Sequence, residues 1–278
     1  MDDIAGIIEG RIPERVTLRV RSLTPYTSEF TSEQIDLLAD IAEKYGAGYV
    51  HVTPRQTVEI PHVERSYINE IVKRLHEMGL SPGSTDRYLR NVIACSRWCL
   101  FNAYPMTGIA EVLNREFADR KFPGKVDISL SGCDFSCVRS RTSDIGVIAR
   151  ADVEITDRKC KKCSLCIKEP LGCQVDAIEI TDYGVEIDRQ RCIRCGFCTN
   201  VCRPGSLVVR SRGFDIYLGG RGGLKPREAT YAGSVNGEDQ LIDAIKRILD
   251  IYMENAMEGE RLSDLIERQG DAILEVCK

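Results

Sequence analysis

Apolar and polar residues alternate along VTLRVRS (16–22), the period-two pattern of a strand with one covered face. The period lengthens over SEQIDLLADIAEKYG (32–46), which predicts a helix that starts on an N-capping Ser32 and ends at Gly46. GYVHVTPRQTVEIP (48–61) reads as strand, turn, strand, and SYINEIVKRLHEMGL (66–80) as a second helix closed by a glycine. Two helices packed on one face of a small antiparallel sheet bury these stripes most economically, so 1–86 is expected to be an α+β half-domain.

From Arg87 the pattern changes. LRNVIACSRWC (89–99) precedes a helical GIAEVLNREFADR (108–120), and the strand KVDISLSGC (125–133) runs straight into SGCDFSC (131–137). DIGVIA (144–149) is a further strand, LVVRSRGFDIYLGGRGG (207–223) resumes β alternation, and EDQLIDAIKRILDIYMENA (238–256) is a closing helix. Strand-forming sequence therefore flanks the cysteine-dense stretch 154–206, which is expected to be an insertion within a second α+β unit made of 87–153 and 207–278. GGRGG (219–223) is not followed by a helix in a βαβ unit and reads as a turn, leaving no nicotinamide or flavin motif.

A 43% apolar content over 278 residues excludes a disordered chain, and a net charge of −4 provides no field to concentrate nucleic acid. MDDIAGIIEGRIPER has neither the basic start nor the apolar run of a secretory signal, and no stretch is long enough to cross a bilayer. A cytoplasmic protein without membrane association is expected. In a reducing compartment thirteen cysteines point to metal rather than disulfides. Cys277 stands alone near the end and receives no role.

Eight of the cysteines repeat one spacing. Cys160, Cys163 and Cys166 form CxxCxxC with Cys173 beyond, and Cys192, Cys195, Cys198 and Cys202 form CxxCxxCxxxC followed by Pro204. Three cysteines so spaced wrap one corner of a cubane while the fourth of each run ligates the other cluster. Cys160, Cys163, Cys166 and Cys202 are thus assigned to one [4Fe-4S] cluster and Cys173, Cys192, Cys195 and Cys198 to a second, with AIEITDYGVEID a hairpin between the halves. Zinc is the competing reading, but it rarely uses a duplicated triple run. Gln174 and the long Cys166–Cys173 gap bear on loop shape more than on ligation.

CSRWC (Cys95, Cys99) and CDFSC (Cys133, Cys137) can converge only through the fold, and four thiolates brought together in that way suit a third cubane. Buried unligated thiols are the plain alternative. Arg55, Arg87, Arg90, Arg97, Arg139, Arg141, Arg221 and Lys225 flank these elements, where guanidinium forks suit carboxylates or an oxyanion.

The order TxRQ, RNVxxC, KxxxxxxSGCxxxC, a DIG strand, an inserted two-cluster ferredoxin and GFxxxxGGxxGxxP resembles the sirohaem-containing sulfite and nitrite reductases. In layout it is similar to the dissimilatory-type and anaerobic sulfite reductase subunits, over roughly residues 15–230. The resemblance implies a ferredoxin-like half followed by a domain that binds sirohaem and a [4Fe-4S] cluster held by Cys95, Cys99, Cys133 and Cys137, with Cys137 bridging to the haem iron. It implies that Arg55, Arg90 and Lys125 hold the substrate oxyanion, and that the other basic residues face the cofactor's carboxylates. Sulfite would be reduced to sulfide with six electrons entering through the ferredoxin clusters from a ferredoxin or flavoprotein. Because larger members carry the reductase repeat twice, a homo- or hetero-oligomer is expected. The sequence departs from the family pattern at Asp127, where a second lysine is expected, in the CxxxC spacing of the first pair where CxxxxxC is usual, and at Asp134 and Phe135. The competing functions are nitrite reduction, an electron-transfer subunit without catalysis, and a relative acting on another substrate such as a modified tetrapyrrole.

Overall fold

The computed structural model describes residues 4–25, 27–83, 85–117, 120–168, 171–270 and 273–274, so Cys277 lies outside the described residues. The chain divides into two compact units: Met1–Ala94 with Thr107–Ser129 and Ile248–Gly270, and Cys95–Met106 with Leu130–Arg247 and Asp271–Lys278.

The first unit opens with β1 (Ile7–Glu9), β2 (Arg15–Ser22), α1 (Ser32–Tyr45), β3 (His51–Val52), β4 (Val58–Glu64), α2 (Ile68–Glu77) and β5 (Leu80–Pro82). The sheet is antiparallel in the order β1-β2-β4-β3, with β5 also paired to β2. Alternate residues Val16, Leu18 and Val20 of β2 meet Leu38 and Ile41 of α1 and Ile71 and Leu75 of α2 in one core, as the alternation requires. Ser32 is not the cap of α1. Thr31 is extended, its hydroxyl accepts from Gln34 N–H at 3.3 Å, and Gln34 Oε1 accepts from Thr31 N–H at 3.0 Å. The longer reach to the third helical residue makes this reciprocal capping box, and Ser32 becomes the first helical position.

β6 (Ile93–Ala94) and α3 (Thr107–Phe117) follow, then β7 (Ile128–Ser131). Within the first unit Arg90 N–H donates to Val126 O at 3.0 Å. Tyr252 binds this region to the chain's C-terminal part: its hydroxyl accepts from Gly124 N–H at 3.0 Å and donates to Glu260 O at 2.5 Å.

The second unit is built on β8 (Ile145–Ile155), then β9 (Ile178–Ile180), β10 (Val185–Ile187), α4 (Phe197–Val201), β11 (Leu207–Leu218) and β12 (Thr230–Val235). β11 pairs antiparallel with both β8 and β12. Leu207 sits opposite Ile155, so the segment 156–206 leaves and re-enters the sheet at paired residues. An insertion whose ends already meet costs the sheet little. Its small core packs Cys166 and Val185 against Val153 of β8 and Leu207 of β11. β9 and β10 form the anticipated hairpin. α5 (Glu238–Asn255) and α6 (Leu262–Gln269) complete the chain.

Candidate metal centres and anion site

Cys160, Cys163, Cys166 and Cys202 line one cavity of the second unit, and Cys173, Cys192, Cys195 and Cys198 line another. Each set crosses between the two runs as the spacing predicts. The loops curl because Lys162, Ser164 and Arg194 adopt left-handed backbone, with φ of 51°, 60° and 48°. Backbone N–H groups of Lys162, Ala177 and Leu207 point at the sulfurs of Cys160, Cys173 and Cys202 at 3.4, 3.4 and 3.3 Å. Burial, then the neighbouring Cys195, Cys192 and Cys173, push the Cys198 thiol up to about 12. Thiols crowded in an apolar cavity ionise only against a strongly positive centre. Among the described residues no group of three or more His, Cys, Asp or Glu is placed to hold a single ion; the thiols ring a space instead.

The two CxxxC pairs also meet in the second unit. Cys95 N–H donates to Leu130 O at 3.1 Å and Ala103 N–H to Gly132 O at 2.7 Å, which lays the first cysteine loop along the second. The loop 96–102 closes on itself through Asn102 Nδ2, which donates to Ser96 O at 2.7 Å. Burial chiefly drives the Cys133 thiol up to about 11, with Cys95 and Cys99 adding to the rise, and Cys95 is raised by burial and then by Cys137 and Cys99. All four thiols therefore share one field despite the short spacing. Cys95 and Cys133 are buried, whereas Cys99 and Cys137 are exposed.

Gly132 is the hinge of this meeting, because a Cβ there would stand 1.9 Å from Asn102 Oδ1 and 2.7 Å from its Cγ. Gly132→Ala is expected to push the cysteine loops apart and lower bound iron by about four atoms per chain, the content of one cubane, which an iron and labile-sulfide assay checks.

The second and third thiol sets are neighbours. Cys133 feels the Cys195 thiol, and the Phe101 ring lies 5.0 Å from Phe197 and 6.2 Å from Phe135. Arg194, inside the Cys192–Cys195 loop, donates to Asp215, which also accepts from Arg150 Nε at 3.1 Å and Ser234 Oγ at 2.6 Å. The loop is thus bolted to β11. Asp215 is almost fully buried, so Asp215→Ala should cost about 3–5 kcal/mol, the usual penalty for stranding a buried ion-pair partner. Denaturant unfolding of the holo-protein measures it.

The first unit holds the basic cluster. Arg55, in the turn between β3 and β4, donates from Nη2 to Asn91 O at 3.3 Å and Ile128 O at 3.4 Å. Asn91 Nδ2 returns a bond to Arg55 O at 2.9 Å, and Gln56 Nε2 donates to Ala94 O at 2.8 Å. The TPRQT turn is therefore fixed to 91–94, and Arg55 Nη1 lies 3.6 Å from Asp127 Oδ2. Arg261 Nη2 stands 3.9 Å from the same oxygen. Burial, then Arg19 and Arg55, pull the Arg90 guanidinium below its usual range. Burial and then Arg90 lower the Lys125 ammonium, although the side chain reaches solvent. Arg19 itself is paired with Glu59 at 2.6 Å. Arg55, Arg90 and Lys125 are thus brought together. Arg261 was not singled out in the sequence because no motif surrounds it.

The remaining basic candidates are scattered. Arg87, in the first unit, pairs with Glu258 at 2.7 Å. In the second unit Arg97 lies over the Trp98 ring at 5.7 Å. Arg141 is engaged by Asp134 and stacks on Tyr217 at 4.8 Å. Arg139 is exposed in left-handed backbone with φ of 62°. Arg221 pairs through its backbone with Arg227, making the GGRGG segment a turn, and Lys225 is exposed. Separately, in the first unit, Arg19, Arg65 and Arg90 share a cavity with Ile4, Ile7, Ile8 and Tyr88.

The nitrite and sulphite reductase 4Fe-4S domain matches residues 87–274, and the nitrite/sulfite reductase ferredoxin-like half domain matches 14–78. The chain belongs to the nitrite and sulfite reductase family. It is 30% identical over 245 residues to the coenzyme F420-dependent sulfite reductase of Methanocaldococcus jannaschii, covering 87% of this chain and 39% of that relative. It is 26% identical to the dissimilatory-type sulfite reductase subunit beta of Archaeoglobus fulgidus, covering 84% of this chain and 71% of that subunit. Among solved structures it is similar to dissimilatory sulfite reductase I, with a TM-score of 0.75 and 21% identity over 95% of this chain and 69% of that one. These likenesses agree with the expected mixed α+β architecture. No helix among the described residues is long and apolar enough to cross a membrane.

Proposed function

We propose that the chain is the catalytic subunit of a sirohaem-dependent sulfite reductase that carries three [4Fe-4S] clusters. The cluster of Arg55, Arg90 and Lys125 around Asp127 carries this reading, since cations crowded closely enough to pull Arg90 and Lys125 below their usual range are what a site for a small oxyanion needs.

The residues fit sirohaem in one respect: Cys99 and Cys137 are exposed while Cys95 and Cys133 are buried, so the thiol set presents sulfur at its surface, where Cys137 would hold the group. In the first unit, the cavity of Arg19, Arg65 and Arg90 is also lined by Glu9 and Asp86, and Arg19 and Arg65 are paired with Glu59 and Glu9, so it does not suit a polycarboxylate. Arg97, Arg139, Arg221 and Lys225 are assigned to the sirohaem carboxylates, whereas Arg87 and Arg141 are drawn to Glu258 and Asp134. Sirohaem, when bound, supplies the redox-active iron at which sulfite is reduced.

The chain's own groups capture the anion and move charge. Arg55 and Arg90 hold sulfite oxygens, and Lys125, whose ammonium is already easier to deprotonate, gives one of the two protons that each oxygen needs to leave as water, solvent giving the other and the donor protein the two electrons. The ferredoxin domain, 154–206, delivers electrons. Cys160, Cys163, Cys166 and Cys202 would hold one cluster and Cys173, Cys192, Cys195 and Cys198 a second, and the Cys195–Cys133 neighbourhood would set the second beside the cluster of the CxxxC pairs. A ferredoxin or flavoprotein is the donor, and a second copy or another subunit completes the assembly.

Holo-protein reduced by a viologen dye tests the reading. It predicts sulfide from sulfite with a higher kcat/KM than ammonia from nitrite; the reverse ranking makes the protein a nitrite reductase, and turnover of neither makes it an electron carrier.

A further inference from the structure

The run 158–168 around the first thiol set carries a charge opposite to that of the whole chain. It holds Arg158, Lys159, Lys161, Lys162 and Lys168 and no carboxylate, in a protein whose net charge is −4. All five cations are exposed. Lys161 lines the cavity ringed by Cys160, Cys163, Cys166 and Cys202. Arg158 reaches the far side of the same rim, since a Cβ on Gly205, three residues past Cys202, would stand 2.9 Å from its Nη1. Lys162 Nζ donates to Asp182 Oδ1 at 3.3 Å, but Asp182 is fully exposed, and an ion pair in that setting is weak and screened by salt.

The two cavities of the insertion differ in what surrounds them. Of the eight thiols Cys163, in the first set, is exposed, whereas all four of the second set are half-buried. Phe101, Val175, Ile187 and Phe197 help line the second cavity, and among the described residues no charged side chain does. Its Cys195 is the thiol that Cys133 feels. The second set is thus turned toward the CxxxC pairs and the first toward solvent. Leu165 and Ile167, on either side of Cys166, add 36% and 39% exposed apolar surface to the basic run. A small apolar centre with a polar rim is how protein interfaces are built, and the sign of the rim selects the partner.

We propose that the run 158–168 is the docking surface for an acidic one-electron carrier protein of the ferredoxin type. The cations draw in the carrier's acidic face, Leu165 and Ile167 give it an apolar footing, and Cys163 marks where its redox centre comes closest. The carrier gives up one electron per encounter and the chain accepts it, so six encounters supply one sulfite. A patch this small suits a short-lived complex, which a carrier that leaves after each electron needs. The inference rests on the reading of Cys160, Cys163, Cys166 and Cys202 as a cluster site. It goes beyond that reading by giving the partner's charge and the surface it meets.

The test uses holo-protein with its iron counted and an acidic two-[4Fe-4S] ferredoxin as the probe. Calorimetry at low and high salt measures binding of the oxidised ferredoxin, and stopped-flow absorbance measures electron delivery from the reduced form. The triple variant Lys159→Gln, Lys162→Gln, Lys168→Gln is expected to lower the association rate at low salt about tenfold to a hundredfold, within the range that electrostatic steering supplies. Affinity should fall with it, and high salt should bring the wild-type protein down to the variant's level. Asp182→Asn, which removes the carboxylate beside Lys162, should tighten binding a few-fold. Undetectable binding to the wild-type protein at low salt, or wild-type binding in the triple variant, would overturn the docking surface and leave the cluster reading standing. Wild-type protein that takes no electrons from either ferredoxin or methyl viologen would overturn the cluster reading itself. A short DNA duplex bound more tightly than the ferredoxin would make the run a nucleic-acid site and contradict the proposal. Should the triple variant lose iron, Asp182→Asn decides: ferredoxin binding no tighter than wild type counts against the surface.

Discussion

Arg55→Ala is expected to lower sulfite turnover by about a hundredfold to a thousandfold in kcat/KM, the scale for removing one preorganised charged donor from a reacting anion. Iron, labile sulfide and tetrapyrrole should stay at wild-type levels, because Arg55 belongs to the first unit and all described cysteines of the three sets to the second. The side chain also has a structural share, since its Nη2 ties the 53–57 turn to Asn91 O and Ile128 O. Arg55→Lys separates the roles. It keeps the charge, cannot span both carbonyls, and should recover part of the turnover with a raised KM. Sulfide release under a viologen donor, beside an iron assay, gives the answer; unchanged kcat/KM in Arg55→Ala would remove Arg55 from the site.

Cys166→Ser should release one cluster and unfold the inserted segment while leaving the first unit's sheet intact. Ordering the backbone costs about 1–2 kcal/mol per residue. Against this, among the described residues, the segment buries few side chains, chiefly Cys166, Ala177, Val185 and Phe197, some of them against Val153 of β8 and Leu207 of β11, and a fully buried large apolar side chain is worth about 1.5–3 kcal/mol. The remainder must come from metal–thiolate bonds, so the segment folds with its clusters. Hydrogen exchange of the variant should show protection lost across 160–202, with β2, β4 and the two helices packed on them still protected. Retained protection of 160–202 would mean the segment folds without its metal.

The grouping of the eight ferredoxin-type cysteines was legible because three of each four lie in one short run and the fourth is fixed by the repeat, and each cavity is lined by such a crossed set. The first half-domain was legible for a similar reason: the alternation in 16–22 and the helical stripe of 32–46 report which face is buried. What the sequence hid depends on distant segments. α6 carries its stripe of Leu262, Leu265 and Ile266 over only eight residues, the register of β12 against β11 shifts at Ile216/Tyr217, and α4 is a single turn between cluster ligands. The convergence of Cys95 and Cys99 on Cys133 and Cys137 rests on the approach of Asn102 to Gly132. Asp127 looked like a defect in a basic pocket until Arg261, 134 positions later, was found beside it. The cap of α1 shows the local version: Thr31 and Ser32 are both good caps by type, and only the reach to Gln34 selects between them.

Anaerobic purification with an iron and acid-labile sulfide count, together with acid-acetone extraction and absorption spectroscopy of the extract, tests the central claim most directly. The account predicts an extractable sirohaem and about twelve cluster irons per chain, four for each of three cubanes. About eight irons with no tetrapyrrole, unchanged after reconstitution, would contradict it and leave an electron carrier whose CxxxC pairs hold nothing.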